Sequence, residues 1–427
     1  MNKDLFNLWL IKQNNNSNKK LVNLFNLNFG PQHPASHGVL RLVLQLNGEI
    51  IEQSDTHIGL LHRGTEKLIE SKNFLKNLPY FDRMDYIAVL TQEHAYCLAV
   101  ERLLETPKYK LEFTQVRIVF DELTRISNHI FCIATQALDL GTMSPIFWGF
   151  EEREKIMEIY ERVSGARMHV AFYRPNDLSL NYLTTTLLTD ILILIKSIFK
   201  RVSLIENKLL MTSIWKYRLS NIGLINLKQA TQWGLTGVLA RGSGITRDIR
   251  FNFNESYSNY YFLNARSFIG TNGDAYDRYL IRIKEIYESL HLIIQVIHKW
   301  KASNAIYSFL KPLSMFTQIK TNSIKPLRKS TQLSWYLSME ELINHFKYYS
   351  EGEVIKKNFT YAKVESPKGE YGVYLFTDGS NKPFRCRIRT PSHYHIQILD
   401  TIIQGHFFSD LISLIGSVDL VMGEVDR

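Results

Sequence analysis

The chain is predicted to be an α+β protein. It should have an N-terminal antiparallel β domain, a central bundle of long helices, and C-terminal strands and short helices packing back near the N-terminal domain. Three observations predict this. Apolar runs on either side of Asn47-Gly48 read as a hairpin, several segments between 79 and 350 repeat apolar residues every three or four positions, and a period of two returns from Thr360. The corresponding segments are an arm over 1–28, a β domain over 29–78, a helical bundle over 79–350 and a β/α segment over 351–427.

The N-terminal β domain carries an unusual loop. From Phe29 to Arg41 the chain reads Phe-Gly-Pro-Gln-His-Pro-Ala-Ser-His-Gly-Val-Leu-Arg. Pro31 and Pro34 fix φ and remove two backbone donors, while Gly30 and Gly38 allow backbone shapes closed to other residues, so His33 and His37 sit on a stiff turn. A His-x-x-x-His spacing on a helix would offer two imidazoles to a metal, but two prolines argue against a helix here. Two readings stay open: a rigid loop whose histidines bond locally, and a loop that binds a ligand. The run Val39, Leu40, Leu42, Val43, Leu44 and Leu46 then leads to the Asn47-Gly48 turn and a returning strand at Glu49–Glu52.

Farther on, Gly59 and Gly64 bracket a strand-to-helix turn that holds Arg63, and Thr65 is placed to cap the following helix. Pro79 opens a helix expected to run unbroken to about Leu104, with Arg83, Asp85 and Tyr86 in its first turns. Val119, Leu123, Ile126, Ile130 and Ile133 mark a long helix from Val116 to about Leu138, with Asp139 the last charge before Gly141. Another helix over Glu151–Arg167 runs into Gly165-Ala166-Arg167-Met168-His169. Leu187–Leu210 and Tyr279–Trp300 are two more, the second striped by Tyr279, Ile283, Ile286, Leu290, Ile293 and Ile297. Gly237–Gly244 looks like a phosphate-cradling loop but lacks the Gly-Lys-Ser/Thr ending. Residues 301–335 read as an irregular basic connection. After strands near Tyr361, Gly372 and Phe384, short helices are expected around Ile396–Ile403 and Phe408–Ile415.

Composition narrows the class of function. The 427 residues carry 51 Lys and Arg against 41 Asp and Glu, a net charge of +10. That balance suits acidic protein partners or an anionic membrane surface, and without a clustered Lys/Arg block it does not suggest nucleic acid. The longest apolar stretch, Leu187–Phe199, is interrupted by Asp190 and Lys196, so no transmembrane helix is expected. Cys97, Cys132 and Cys386 form no Cys-x-x-Cys pair, which implies a reducing compartment and no metal site made by this chain alone. Heavy use of Asn, Ile, Lys, Tyr and Phe fits an A+T-rich genome, such as that of an organelle.

These motifs together carry a resemblance. Gly30–Arg41, His57–Lys67, Pro79–Tyr86, Leu138–Gly141, Phe150–Glu154, Glu161–His169, Leu239–Ile245, Pro367–Tyr374 and Gly423–Arg427 resemble, in order, the 49-kDa subunit family of respiratory complex I, also called NADH dehydrogenase subunit 7. The likeness runs from about Asn28 to Arg427. It implies a subunit of proton-translocating NADH:ubiquinone oxidoreductase. That family is similar in turn to the large subunit of nickel-iron hydrogenases, whose paired cysteines hold a metal; here the first pair would fall near Arg63-Gly64 and no such pair exists.

Carried over position by position, the resemblance implies that His37 and Tyr86 hydrogen-bond the two quinone carbonyls and that Asp139 pairs with His37. It places Arg63, Arg83 and His169 around a 4Fe-4S cluster held by a neighbouring small subunit. Ubiquinone would be substrate, and this chain would bind no cofactor alone. The implied partners are the cluster-bearing subunit, other peripheral-arm subunits and the membrane arm. The implied location is the matrix side of the mitochondrial inner membrane. A hydrogenase-like enzyme with its own metal, and a purely structural assembly subunit, are the competing readings.

Overall fold

The computed structural model describes residues 24–33, 36, 38–105, 111–175, 184–252, 257–310 and 339–427. Along the chain, the N-terminal strands are β1 (Phe25–Phe29), β2 (Arg41–Asn47) and β3 (Ile50–His57), followed by α1 (Thr65–Ser71), α2 (Leu78–Asp82) and α3 (Val89–Leu103). The long helices come next: α4 (Leu111–Asp139), α5 (Ser144–Ser164) and α6 (Thr185–Met211). Short helices α7 (Ser213–Tyr217), α8 (Leu227–Gln232) and α9 (Val238–Gly242) precede α10 (Ala275–Leu310) and α11 (Met339–Ser350). The chain closes with β4 (Asn358–Ser366), β5 (Gly369–Thr377), β6 (Arg385–Arg389), α12 (Pro391–Ile403), α13 (Phe408–Val418) and α14 (Met422–Asp426). The α+β expectation is met, with two antiparallel three-stranded sheets ordered β1-β2-β3 and β4-β5-β6.

In β2 the buried Leu42, Leu44 and Leu46 alternate with outward residues, and β1 pairs with it from Phe25↔Leu46 to Phe29↔Leu42. Strand β1 lies almost wholly within the stretch expected to be an arm. Its Asn-rich composition hid a strand that exists because β2 offers it an edge. Thr65 is the first helical residue of α1 rather than its cap; Gly64 holds that place at φ 61° with no side-chain bond.

The long helices form one core with the C-terminal sheet, which rests on α3, while α4 packs along α5 and α10. A second core joins the N-terminal sheet to the end of the chain. Phe29, Leu40, Leu42, Leu44 and Ile51 meet Ile396, Leu399, Ile402, Leu411, Leu414 and Met422. The C-terminal helices therefore do the packing against the N-terminal sheet, with α12 along β3, while β6 touches α1. Ile51 N–H donates to the His406 carbonyl at 3.0 Å and Phe408 N–H to the Glu49 carbonyl at 2.9 Å, fastening the two chain ends together.

Two further expectations need correction. The connection expected to be irregular over 301–335 is helical as far as Leu310, because α10 continues; its remainder lies outside the described residues. The helix expected from Pro79 to Leu104 is two helices, α2 and α3, broken at residues 83–88. No helix of the described residues is long and apolar enough to cross a membrane.

Candidate functional site

The break between α2 and α3 has a local cause. Asp85, fully buried, turns its Oδ1 to accept the N–H groups of Ile87 and Ala88 at 3.2 and 3.3 Å. Its own N–H donates to Gln92 Oε1 at 3.3 Å. A short carboxylate that satisfies nearby N–H groups competes with the helical ladder and then serves the first turn of α3. Tyr86 therefore sits on a non-helical link, half-buried. Burial, and then the Asp85 carboxylate, push its phenol above the usual tyrosine value, with Lys368 opposing and Asp419 adding to the shift. The phenol stays protonated at neutral pH.

The link is clamped from behind. Lys368 Nζ donates to Asp85 Oδ2 at 2.8 Å and to Asn128 Oδ1 at 2.6 Å, and Asn128 Nδ2 donates to Asp419 Oδ2 at 2.8 Å. Lys368 occupies the two-residue turn of the β4–β5 hairpin, yet is only 3% exposed. That turn lies against Thr236-Gly237: a Cβ on Gly369 would fall 2.6 Å from Thr236 Oγ1. Burial favours the neutral amine, but Asp419 and Asp85 outweigh it and hold the ammonium charged. Burial tends to raise the Asp419 carboxyl, and Lys368 with Arg282 outweighs that and lowers it.

Asp139 ends α4, as expected. Although part of its side chain reaches solvent, packing withdraws water from the carboxyl and pushes it up to about 6. No hydrogen bond to it forms among the described residues. Its Oδ2 lies 3.4 Å from where a Cβ on Gly416 would be, so the end of α4 runs close beside α13. Asp139 and Asp419 both act electrostatically on Cys132, and Asp419 acts on Tyr86. His37 lies outside the described residues. In the described part of that loop, Ser36 Oγ donates to the carbonyls of Pro31 and His33, each at 2.7 Å, and a Cβ on Gly30 would collide with the Leu40 carbonyl.

Arg63, Arg83 and His169 are gathered at the other end of the link. Arg63 Nη2 donates to the Arg83 carbonyl at 3.1 Å, and Arg83 Nη1 to the Pro79 carbonyl at 2.8 Å. Arg83 and His169 both act on Asp82, whose Oδ2 accepts the Ala171 N–H at 2.9 Å. His169 Nδ1 is buried without a hydrogen-bond partner. Asp82 faces Glu93, and burial raises both carboxyls, Glu93 the more. A cleft of about 370 Å³ opens beside Arg63, lined by His62, Glu66, Arg385, His393, Asp426 and Arg427 among others.

A buried charge network was not foreseen. Arg241, in the short helix formed by the Gly237–Gly244 stretch, bonds Glu285 at 2.8 Å and Glu365 at 2.9 Å. Glu285 accepts from His129 at 2.9 Å, while Arg250 bridges Asp248 at 2.8 Å and Glu122 at 3.2 Å. Burial alone would raise Glu285, but Arg241, His129 and Arg125 hold it well below the carboxylate range. Its signal was a polar row at helical spacing along α4. All three cysteines are free and buried, and among the described residues no group of three or more His, Cys, Asp or Glu is disposed to hold a metal ion.

Similarity to known proteins places the chain among the subunits of respiratory oxidoreductases. A family profile described as respiratory-chain NADH dehydrogenase, 49 Kd subunit, matches residues 139–427. The NADH-ubiquinone oxidoreductase 49 kDa subunit of Paramecium tetraurelia is 55% identical over 401 residues, 94% of this chain and 99% of that one. The protein of the same description from Reclinomonas americana is 49% identical over 411 residues, covering 96% and 98%. A bacterial relative, from the NADH-quinone oxidoreductase of Orientia tsutsugamushi (strain Ikeda), is 49% identical over 405 residues, covering 94% and 97%. The chain belongs to the 49-kDa subunit family of complex I. It is a core subunit of that oxidoreductase, and its partners are other subunits of the complex.

Proposed function

We propose that this chain forms, with a cluster-bearing neighbour subunit, the site at which ubiquinone is reduced, coupled to proton translocation, on the peripheral arm at the matrix side of the mitochondrial inner membrane. The observation that carries the reading is Tyr86: a half-buried, protonated phenol on a rigidly held non-helical link. Reduction of a quinone to a quinol consumes two electrons and two protons and places charge on two oxygens. Donors already aimed at those oxygens lower the barrier, because no reorganisation is needed as the charge develops. Tyr86 Oη donates to one carbonyl and His37 to the other, and Asp139 orients and charges the imidazole. A carboxyl raised to about 6 is ionised at neutral pH yet basic enough to share the proton of a neighbouring imidazole.

The neighbour's 4Fe-4S cluster supplies the electrons. Arg63, Arg83 and His169 suit its surroundings: two guanidiniums, Arg63 bonded to the Arg83 carbonyl and Arg83 to the Pro79 carbonyl, and an imidazole with a buried, unpartnered nitrogen present positive charge and a hydrogen-bond donor to a polynuclear anion. A resemblance to nickel-iron hydrogenase large subunits is in keeping with a redox site in a chain whose described residues hold no cluster of metal ligands.

Tyr86→Phe and His37→Ala, made in the assembled complex, test the reading. Both are expected to leave assembly and cluster content intact, to lower NADH:quinone reductase activity strongly, and to spare reduction of artificial acceptors upstream. Parental quinone turnover in both variants overturns it, and loss of assembled complex with normal turnover per complex favours a purely structural role.

A further inference from the structure

A lysine in a two-residue hairpin turn ordinarily stands in water, where its ammonium is best solvated. Lys368 does the opposite. Its turn is driven between α4 and the link that precedes α3, its side chain is 3% exposed, and its ammonium is held by Asp85 and Asn128. Taking an ammonium out of water costs several kcal/mol, so the arrangement persists only because the ammonium is closely paired with Asp85 and also bonded to Asn128. It is also directional: Asp85 spends one oxygen on Lys368 and the other on the N–H groups of Ile87 and Ala88, on both of which the position of Tyr86 depends. The neighbouring residues of the link are pinned separately. Tyr371 Oη donates to Met84 Sδ at 3.4 Å, and α14 backs onto the Met84 carbonyl.

From this geometry we infer that Lys368 is a positioning residue for Tyr86: through Asp85 it locks the 83–88 link in the one shape that presents the phenol to the substrate. The inference rests on the reading of Tyr86 as a quinone donor. Without the ammonium, Asp85 keeps a buried carboxylate with an unpaired oxygen, and the link can relax toward solvent or toward the helical ladder it interrupts. A reactive group displaced by about 1 Å loses on the order of a hundredfold in rate, so a small relaxation suffices.

The test uses the assembled complex and a short-chain ubiquinone. Lys368→Met is expected to raise the KM for quinone and to lower kcat/KM by roughly tenfold or more, with upstream acceptor reduction per complex unchanged. Lys368→Arg restores part of the loss by keeping a cation at Asp85. The double variant Asp85→Asn with Lys368→Met removes both buried charges, so assembly returns to the parental level while KM stays raised severalfold. This variant decides the matter where Lys368→Met alone does not assemble. Parental KM and kcat in the double variant, with Tyr86→Phe impaired, overturn the positioning role and leave the quinone reading standing. Parental turnover in Tyr86→Phe overturns the quinone reading itself.

Discussion

Gly423 in α14 lies against the carbonyl of Met84, so closely that a Cβ at 423 would fall 2.6 Å from that oxygen. The last helix of the chain thus sits on the link that carries Tyr86, more than three hundred residues away in sequence. Gly423→Ala is expected to push Met84 aside, because the atom it meets is backbone and cannot swing away. Overpacking of this kind costs about 1–3 kcal/mol. Quinone reductase activity per assembled complex should fall, and the loss should exceed that of acceptor reduction upstream.

Removing Arg241 should be far more damaging than removing a surface cation. Arg241→Met strands Glu285, Glu365 and Asp248 in the interior with one cation fewer, a loss of about 3–5 kcal/mol, and little assembled complex should accumulate. Arg162→Ala breaks a pair with Asp190 whose side chains are 48% and 39% exposed, and should cost no more than about 1 kcal/mol. Native gels of membranes from the two variants compare them directly.

Glu424 gives a pH test. Burial and the nearby Asp85 carboxylate, opposed by Lys368 and by the Ser392 hydroxyl, raise its carboxyl to about 8. A carboxyl raised in the folded protein binds a proton that the unfolded chain has already released. The stability linked to that proton is full below the ordinary glutamate value of 4.5 and declines as pH rises toward 8. Glu424→Gln, which keeps the neutral shape, should therefore match the parent at low pH and inactivate more slowly on warming at pH 8 to 9. A variant that inactivates faster than the parent at pH 9 would show that the carboxylate, not the acid, is the native form.

The cations near α2 should act on a redox potential. Arg83→Met is expected to move the midpoint of the proposed neighbouring cluster to more negative values at every pH, by tens of millivolts up to on the order of 100 mV. His169→Met should remove most of the pH dependence of that midpoint, since an imidazole is suited to take up a proton as the cluster takes up an electron. Redox titration followed by electron paramagnetic resonance reads both. Full pH slope in His169→Met would sink the proton-coupling claim while leaving the quinone site untouched.

Much of this was legible in the residues because it is local. The Asn47-Gly48 hairpin and the long helices follow from backbone preference and period, although α5 stops at Gly165, short of the Arg167 expected. The break at residues 83–88 was legible in part: Asp85 standing ahead of Ile87, Val89 and Leu90 is a helix-start signal, but the apolar run around it read as one continuous buried helix.

Residue order alone dictates that α4 has two faces, one carrying Val119, Leu123, Ile126, Ile130 and Ile133 and the other Arg117, Asp121, Arg125, Asn128 and Gln136. That both faces are dry is a consequence of tertiary packing. The polar face is covered in part by α10, whose Glu285 and Ser289 come within bonding distance of it, and in part by Glu365 and Lys368 from the C-terminal hairpin. A helical period reports which residues share a face, but the partner that covers the face is supplied by chain hundreds of residues away. The same holds for Tyr86, whose place on a link is written locally in Asp85 and whose anchorage comes from Lys368, brought there by a hairpin that no local pattern connects to it.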